Sequence, residues 1–134
     1  MVDALRRASR WLTPGGCVID IHPTATPAAI EIGGAPAGRV DTSDAPARHA
    51  AADAALTQAV QDGLLVVAVS DLFDFYTHAD TLEELREHIE ENWRDARVVV
   101  ETPRVGRPRA HERVRITKLF LAGGRTDGAR TRSW

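Results

Sequence analysis

The residues best suited to chemistry in this 134-residue chain are Asp20 and His22, at the end of the apolar run "CVIDIHP", and Asp74, Tyr76 and His78, in the alternating stretch "DLFDFYTH". Residues two apart on a strand share one side, so each set puts a carboxylate and an imidazole on a common surface. Such a pairing suits a histidine that contacts a ligand or moves a proton. The same residues also fit a plainer role. Pro23 ends the strand, His22 caps the following loop, Asp20 takes backbone donors, and Asp74, Tyr76 and His78 form the solvated side of a sheet.

Other motifs with chemical meaning are missing from the sequence. The five histidines (His22, His49, His78, His88, His111) include no pair four residues apart and no cysteine–histidine cluster, so a zinc site has little support. Gly33-Gly34 and Gly123-Gly124 do not match the spacing of a phosphate-binding loop. No serine sits in a G-x-S-x-G elbow, and Cys17 opens an apolar run where a thiol serves packing. His49 with Asp53, and Glu84 with His88, are one helical turn apart and read as surface pairs. No catalytic, cofactor-binding or metal-ligating residue is assigned.

These side chains need a frame, and the composition supplies one. With 43% hydrophobic residues the chain is expected to build a single core. A net charge of −2 leaves no basic face for nucleic acid, and Arg125, Arg130 and Arg132 near Trp134 read as a solvated end. No apolar run approaches the roughly 18 residues of a spanning helix, so no membrane contact is expected. The lone cysteine and the lack of a secretory leader make the cytoplasm the expected location.

Periodicity predicts the elements. Val2, Leu5, Ala8 and Leu12 mark an amphipathic helix over 2–12, ended by Thr13-Pro14-Gly15-Gly16. Cys17 to Ile21 reads as a strand covered on both faces, and 28–42 as a short irregular hairpin. Ala45 to Gly63 reads as a long helix capped by Ser43 or Asp44. Leu64 to Tyr76 reads as a long strand, buried early and partly exposed late. A capping box of Thr81 and Glu84 opens a helix over 82–94. Arg97 to Glu101 has the makings of a short strand, 102–109 reads as a loop, and "ERVRITKLFLA" as the last strand. Residues 1–122 form the expected domain and 123–134 a flexible tail.

Three stretches carry a family resemblance. "ALRRASRWLTPGGCVIDIHP" resembles the segment of class I S-adenosylmethionine-dependent methyltransferases in which a helix and a proline-glycine-glycine turn lead into the fifth strand. "LTQAVQDGLL" is similar to the helix after that strand, and "DLFDFYTHADTLEELREHIEENW" to the sixth strand and its following helix. The resemblance implies an α/β fold, a partial Rossmann-like sheet of about three main strands, mixed parallel and antiparallel, with helices packed on it. It also implies that the half carrying the glycine-rich loop and the ribose-binding acidic residue is absent. No cofactor-binding residue carries over, and S-adenosylmethionine is expected only if an N-terminal half completes the fold. Asp20, His22, Tyr76 and His78 would then face substrate.

In the family order the seventh strand lies between the fifth and sixth, which makes Cys17 to Ile21 an open edge. A homodimer or a partner chain pairing with that edge is expected. The implied function is that of a methyltransferase-like half-domain without independent activity. The alternative is a small dimerisation or binding module that keeps the half-fold for association.

Overall fold

A computed structural model describes residues 2–123, so the tail expected beyond Gly123 lies outside the described residues. Nine elements follow one another: α1 (Val2–Trp11), β1 (Cys17–Pro23), β2 (Ala29–Ile32), β3 (Ala35–Thr42), α2 (Ala45–Gln61), β4 (Leu65–His78), α3 (Leu82–Asn92), β5 (Ala96–Val100) and β6 (Pro108–Leu121). The strands form one six-stranded sheet, and every pairing in it is antiparallel.

The organising element is β6. Along one edge it pairs with nearly the whole of β4, from Leu65↔Leu121 to His78↔Arg109. Along the other edge its C-terminal half pairs with β1 and its N-terminal half with β2. From β2 the sheet continues through β3 to β5. The mixed parallel/antiparallel, Rossmann-like sheet of about three strands is therefore corrected. β1 and β4 do run the same way, but β6 lies between them in the opposite direction, so no parallel pair is ever adjacent. The 28–42 hairpin and β5 are full members of the sheet rather than appendages.

Alternation along β6 divides the side chains between two faces. Even-numbered residues, Ala110 to Phe120, share one face with Ile30 and Ile32. Here α3 lays Leu85 and Ile89 on Ile30, Val40, Val98 and Ala110, and Ile30, Leu85, Ile89 and Ala110 are fully buried. Odd-numbered residues face the other way, where Leu119 packs with Leu65 of β4, Leu56 and Ala59 of α2 and Leu5 of α1. The helices thus sit on opposite faces at opposite ends of the sheet. Each buried Leu or Ile contributes about 1.5–3 kcal/mol, and the stabilisation is divided between two small cores.

Local chemistry explains the boundaries. The Thr81 hydroxyl accepts the Glu84 backbone N–H while the Glu84 carboxylate takes the Thr81 N–H, a complete capping box for α3. Asp44 is the N-cap of α2 but makes no side-chain cap, and Pro46 stands in the first turn instead. Gly15, at φ 82°, makes the left-handed corner between α1 and β1. Gly38 is required for a different reason: a Cβ there would overlap the Val99 carbonyl oxygen, so its bareness lets β3 lie against β5.

Two strands depart from expectation in burial. β1 is not covered on both faces, since Ile19 and Ile21 are 49% and 58% exposed. In β4 only Leu65 is buried, and Val66, Val67, Val69, Leu72, Phe73 and Phe75 are all exposed. The physical reason is common to both. The helices cover the even face only at its β5 end and the odd face only over Leu119 and its neighbours, and β4 is an edge strand besides. The last strand also starts earlier than expected, at Pro108, which moves Arg109 from the expected loop into the sheet and adds His111, which no expected element contained.

Candidate functional site

The odd face of β6 carries two charged networks, one at Arg115 and one over Arg109, His111 and Arg113. In the first, His22 projects from β1 between two carboxylates. Its Nδ1 lies 2.6 Å from Asp20 Oδ2 and its Nε2 lies 3.0 Å from Asp53 Oδ1 of α2. Arg115 donates to the same Asp53 oxygen at 3.0 Å. A neutral imidazole carries one N–H and so satisfies one carboxylate; the pair of contacts needs a second proton on the ring or on a carboxylate. Either way no ring nitrogen is left for a substrate. Asp20 and His22 are brought together as expected, but as a lock between β1 and α2. The pairing of His49 with Asp53 is not formed: His49 Nδ1 instead donates to the Thr24 carbonyl at 3.0 Å.

The second network surrounds Tyr76. Glu31 of β2 pairs with Arg109, at 2.6 Å, and with His111 Nδ1, at 3.3 Å. His111 Nε2 reaches Asp74 Oδ1 at 2.9 Å, and Arg113 donates to that oxygen at 3.1 Å. The Tyr76 ring stacks on His111 at 4.7 Å, and the Arg109 guanidinium lies 4.3 Å above its centroid. Its contact with His78 is a tilted one at 6.1 Å. Here too both nitrogens of the histidine are engaged. The hydrogen bond from His111, helped by the charge of Arg113, holds the Asp74 carboxyl below its ordinary range.

A third feature was not legible in the sequence. A cleft of about 300 Å³ opens where β1 hands over to β2 beside β6. Its walls are the connection from Pro23 to Ala28, the start of α2 with Arg48 and His49, the end of α3 with Trp93, and Glu112 of β6. Because His49 Nδ1 is tied to Thr24, its Nε2 is the nitrogen without a hydrogen bond. Burial pushes the Glu112 carboxyl up, and among the described residues that carboxyl has neither an ion pair nor a side-chain hydrogen bond. A second, shallower cleft of about 250 Å³ runs between α2 and the sheet, past Asp53, Ser70, Arg115 and Thr117.

The four residues expected to face substrate are therefore split. Asp20 and His22 belong to the lock under α2, Tyr76 belongs to the Arg109–His111 stack, and His78 is exposed at the strand end. None of them lines the Glu112 cleft. Comparison with protein-family models, with curated proteins and with solved structures finds no match.

Proposed function

We propose that the chain is a self-associating module that carries no methyl transfer of its own and whose partner is a second copy seated on the open, even-numbered half-face of β1, β6 and β4. The observation that carries this reading is the contrast between the two uncovered half-faces of the sheet. The one on the odd side carries the ion pairs of Asp53, Asp74 and Glu31, with Val67 and Leu72 as its two exposed large apolar side chains on β4. The one on the even side presents Ile19, Ile21, Val66, Val69, Phe73 and Phe75, each between 38% and 58% exposed. A contiguous apolar patch of this kind marks an association surface, and a stable dimer buries about 800 Å² per partner.

Charge favours a copy of the same chain. Among the described residues Lys118 lies on this face with only the Phe120 ring as a charge contact, and Asp71 lies on it with only the Leu72 N–H. A two-fold interface is reciprocal, so one unpaired cation and one unpaired anion on the same patch make two ion pairs. The edges are less inviting than the face. β1 ends in Pro23, and β4 carries a bulge between Val67 and Val69, both of which hinder strand addition. Cytoplasmic residence belongs to this reading, supported by the lone cysteine.

The test is a charge-reversal cycle on exposed positions. Lys118→Glu and Asp71→Lys should each weaken the dimer about fivefold, and the double variant should recover most of the loss. Single reversals without effect, or a double variant weaker than either, would contradict the interface.

A methyltransferase half completed by another chain is the second reading. It is supported by the β1–β6–β4 order, with β6 antiparallel to both neighbours and no strand on the outer edge of β1 among the described residues. Calorimetric titration separates the two. This second reading expects S-adenosylmethionine to bind once the N-terminal half of such an enzyme is added, and the association module expects no binding in either case.

A further inference from the structure

We propose that the cleft at Glu112 is a binding site for a small organic cation, an alkylammonium group held by the Glu112 carboxylate and the Trp93 indole. The proposal does not depend on self-association. Its basis is the pattern of partners around the cleft. Three charged side chains line it besides His49, and two have a carboxylate of their own: Arg48 lies 3.5 Å from Asp44, and Arg94 lies 3.5 Å from Asp95. Glu112 is the one of the three with no countercharge among the described residues. A half-buried carboxylate without a partner carries a desolvation cost that an incoming cation relieves.

The rest of the lining fits the same ligand. Trp93 is partly buried against the α3 core and also lines the cleft, and an indole beside a carboxylate is the kind of surface that attracts a cation. Pro23, Pro27 and Val40 give an apolar floor for an alkyl body. A volume near 300 Å³ stands at the small end of ligand pockets and admits on the order of ten non-hydrogen atoms. An anionic ligand is disfavoured, because each arginine is already paired and the uncompensated charge in the cleft is negative.

The experiment titrates n-butylammonium and butyrate separately into the full chain and follows the assigned Trp93 indole N–H resonance. Butylammonium should give a saturable shift at Trp93 that weakens as pH falls through the Glu112 titration, because protonation removes the counter-charge. Butyrate should leave Trp93 unmoved. Glu112→Gln should weaken butylammonium binding at least about tenfold, and the pH dependence of the unaltered chain probes the same contact without a variant. Equal binding of butyrate, a pH-independent butylammonium shift, or no saturable shift at Trp93 would overturn the proposal.

Discussion

At the scale of single residues, the molecule holds the Asp74 carboxylate in an ion-paired network and half-buries the Glu112 carboxyl without a partner among the described residues. Asp74 and Glu112 lie on neighbouring strands yet titrate in opposite directions. For Asp74 the folded-state pKa is depressed, chiefly by the His111 hydrogen bond. Its stabilising contribution is present above the ordinary aspartate range and is lost as pH falls through the lowered value. Asp74→Asn should therefore lower the melting temperature at neutral pH, and the difference should shrink on strong acidification. For Glu112 burial raises the pKa. The folded state then holds a proton that the unfolded chain releases, so stability falls as pH rises from the ordinary glutamate range through the raised value. Glu112→Gln should raise the melting temperature at neutral pH and make little difference once the pH is below the ordinary glutamate range, read by thermal unfolding under both conditions.

Sequence spacing put Asp20 beside His22 but had no means of showing Asp53, which comes from a helix 31 residues on. A signal for Arg109 and His111 was nevertheless present. The period-two alternation of Arg113 and Arg115 continues backwards through His111 and Arg109 to Pro108, and the two prolines of 102–109 hid it.

Among the elements, what was legible is what local chemistry decides. The Thr81–Glu84 capping box was readable because its partners are three residues apart. Thr81→Ala should cost about 1 kcal/mol, measured by denaturant unfolding. The requirement at Gly38 was not readable, since it depends on a strand that comes two helices later in the chain. With backbone rather than a flexible side chain in the way, Gly38→Ala should cost about 2–4 kcal/mol and loosen β5 from β3. Amide exchange in Val98 to Val100 would report that loosening directly, and unchanged protection there would contradict the packing argument. The strands β1 and β4 teach the converse lesson. Continuous apolar runs such as Cys17 to Ile21 and Leu64 to Val69 reveal hydrophobicity but not what covers it. A run on an uncovered face has the same composition as one inside a core, so both read as buried strands.

For the whole molecule, three helices are too few to cover both faces of a six-stranded sheet, and their diagonal placement leaves two half-faces bare. One carries most of the ion pairs, and the other exposes six large apolar side chains around Lys118 and Asp71. No helix of the described residues is long and apolar enough to cross a membrane. The all-antiparallel sheet was not legible in the sequence, because strand direction depends on how segments distant in the chain attach to β6. Sedimentation equilibrium of the full chain tests the central claim most directly. The account predicts a mass about twice the 14.6 kDa of one chain, shifting to the monomer on dilution and on substitution of exposed Phe73→Asp. A single 14.6 kDa species at every concentration, or a dimer untouched by Phe73→Asp, would contradict it.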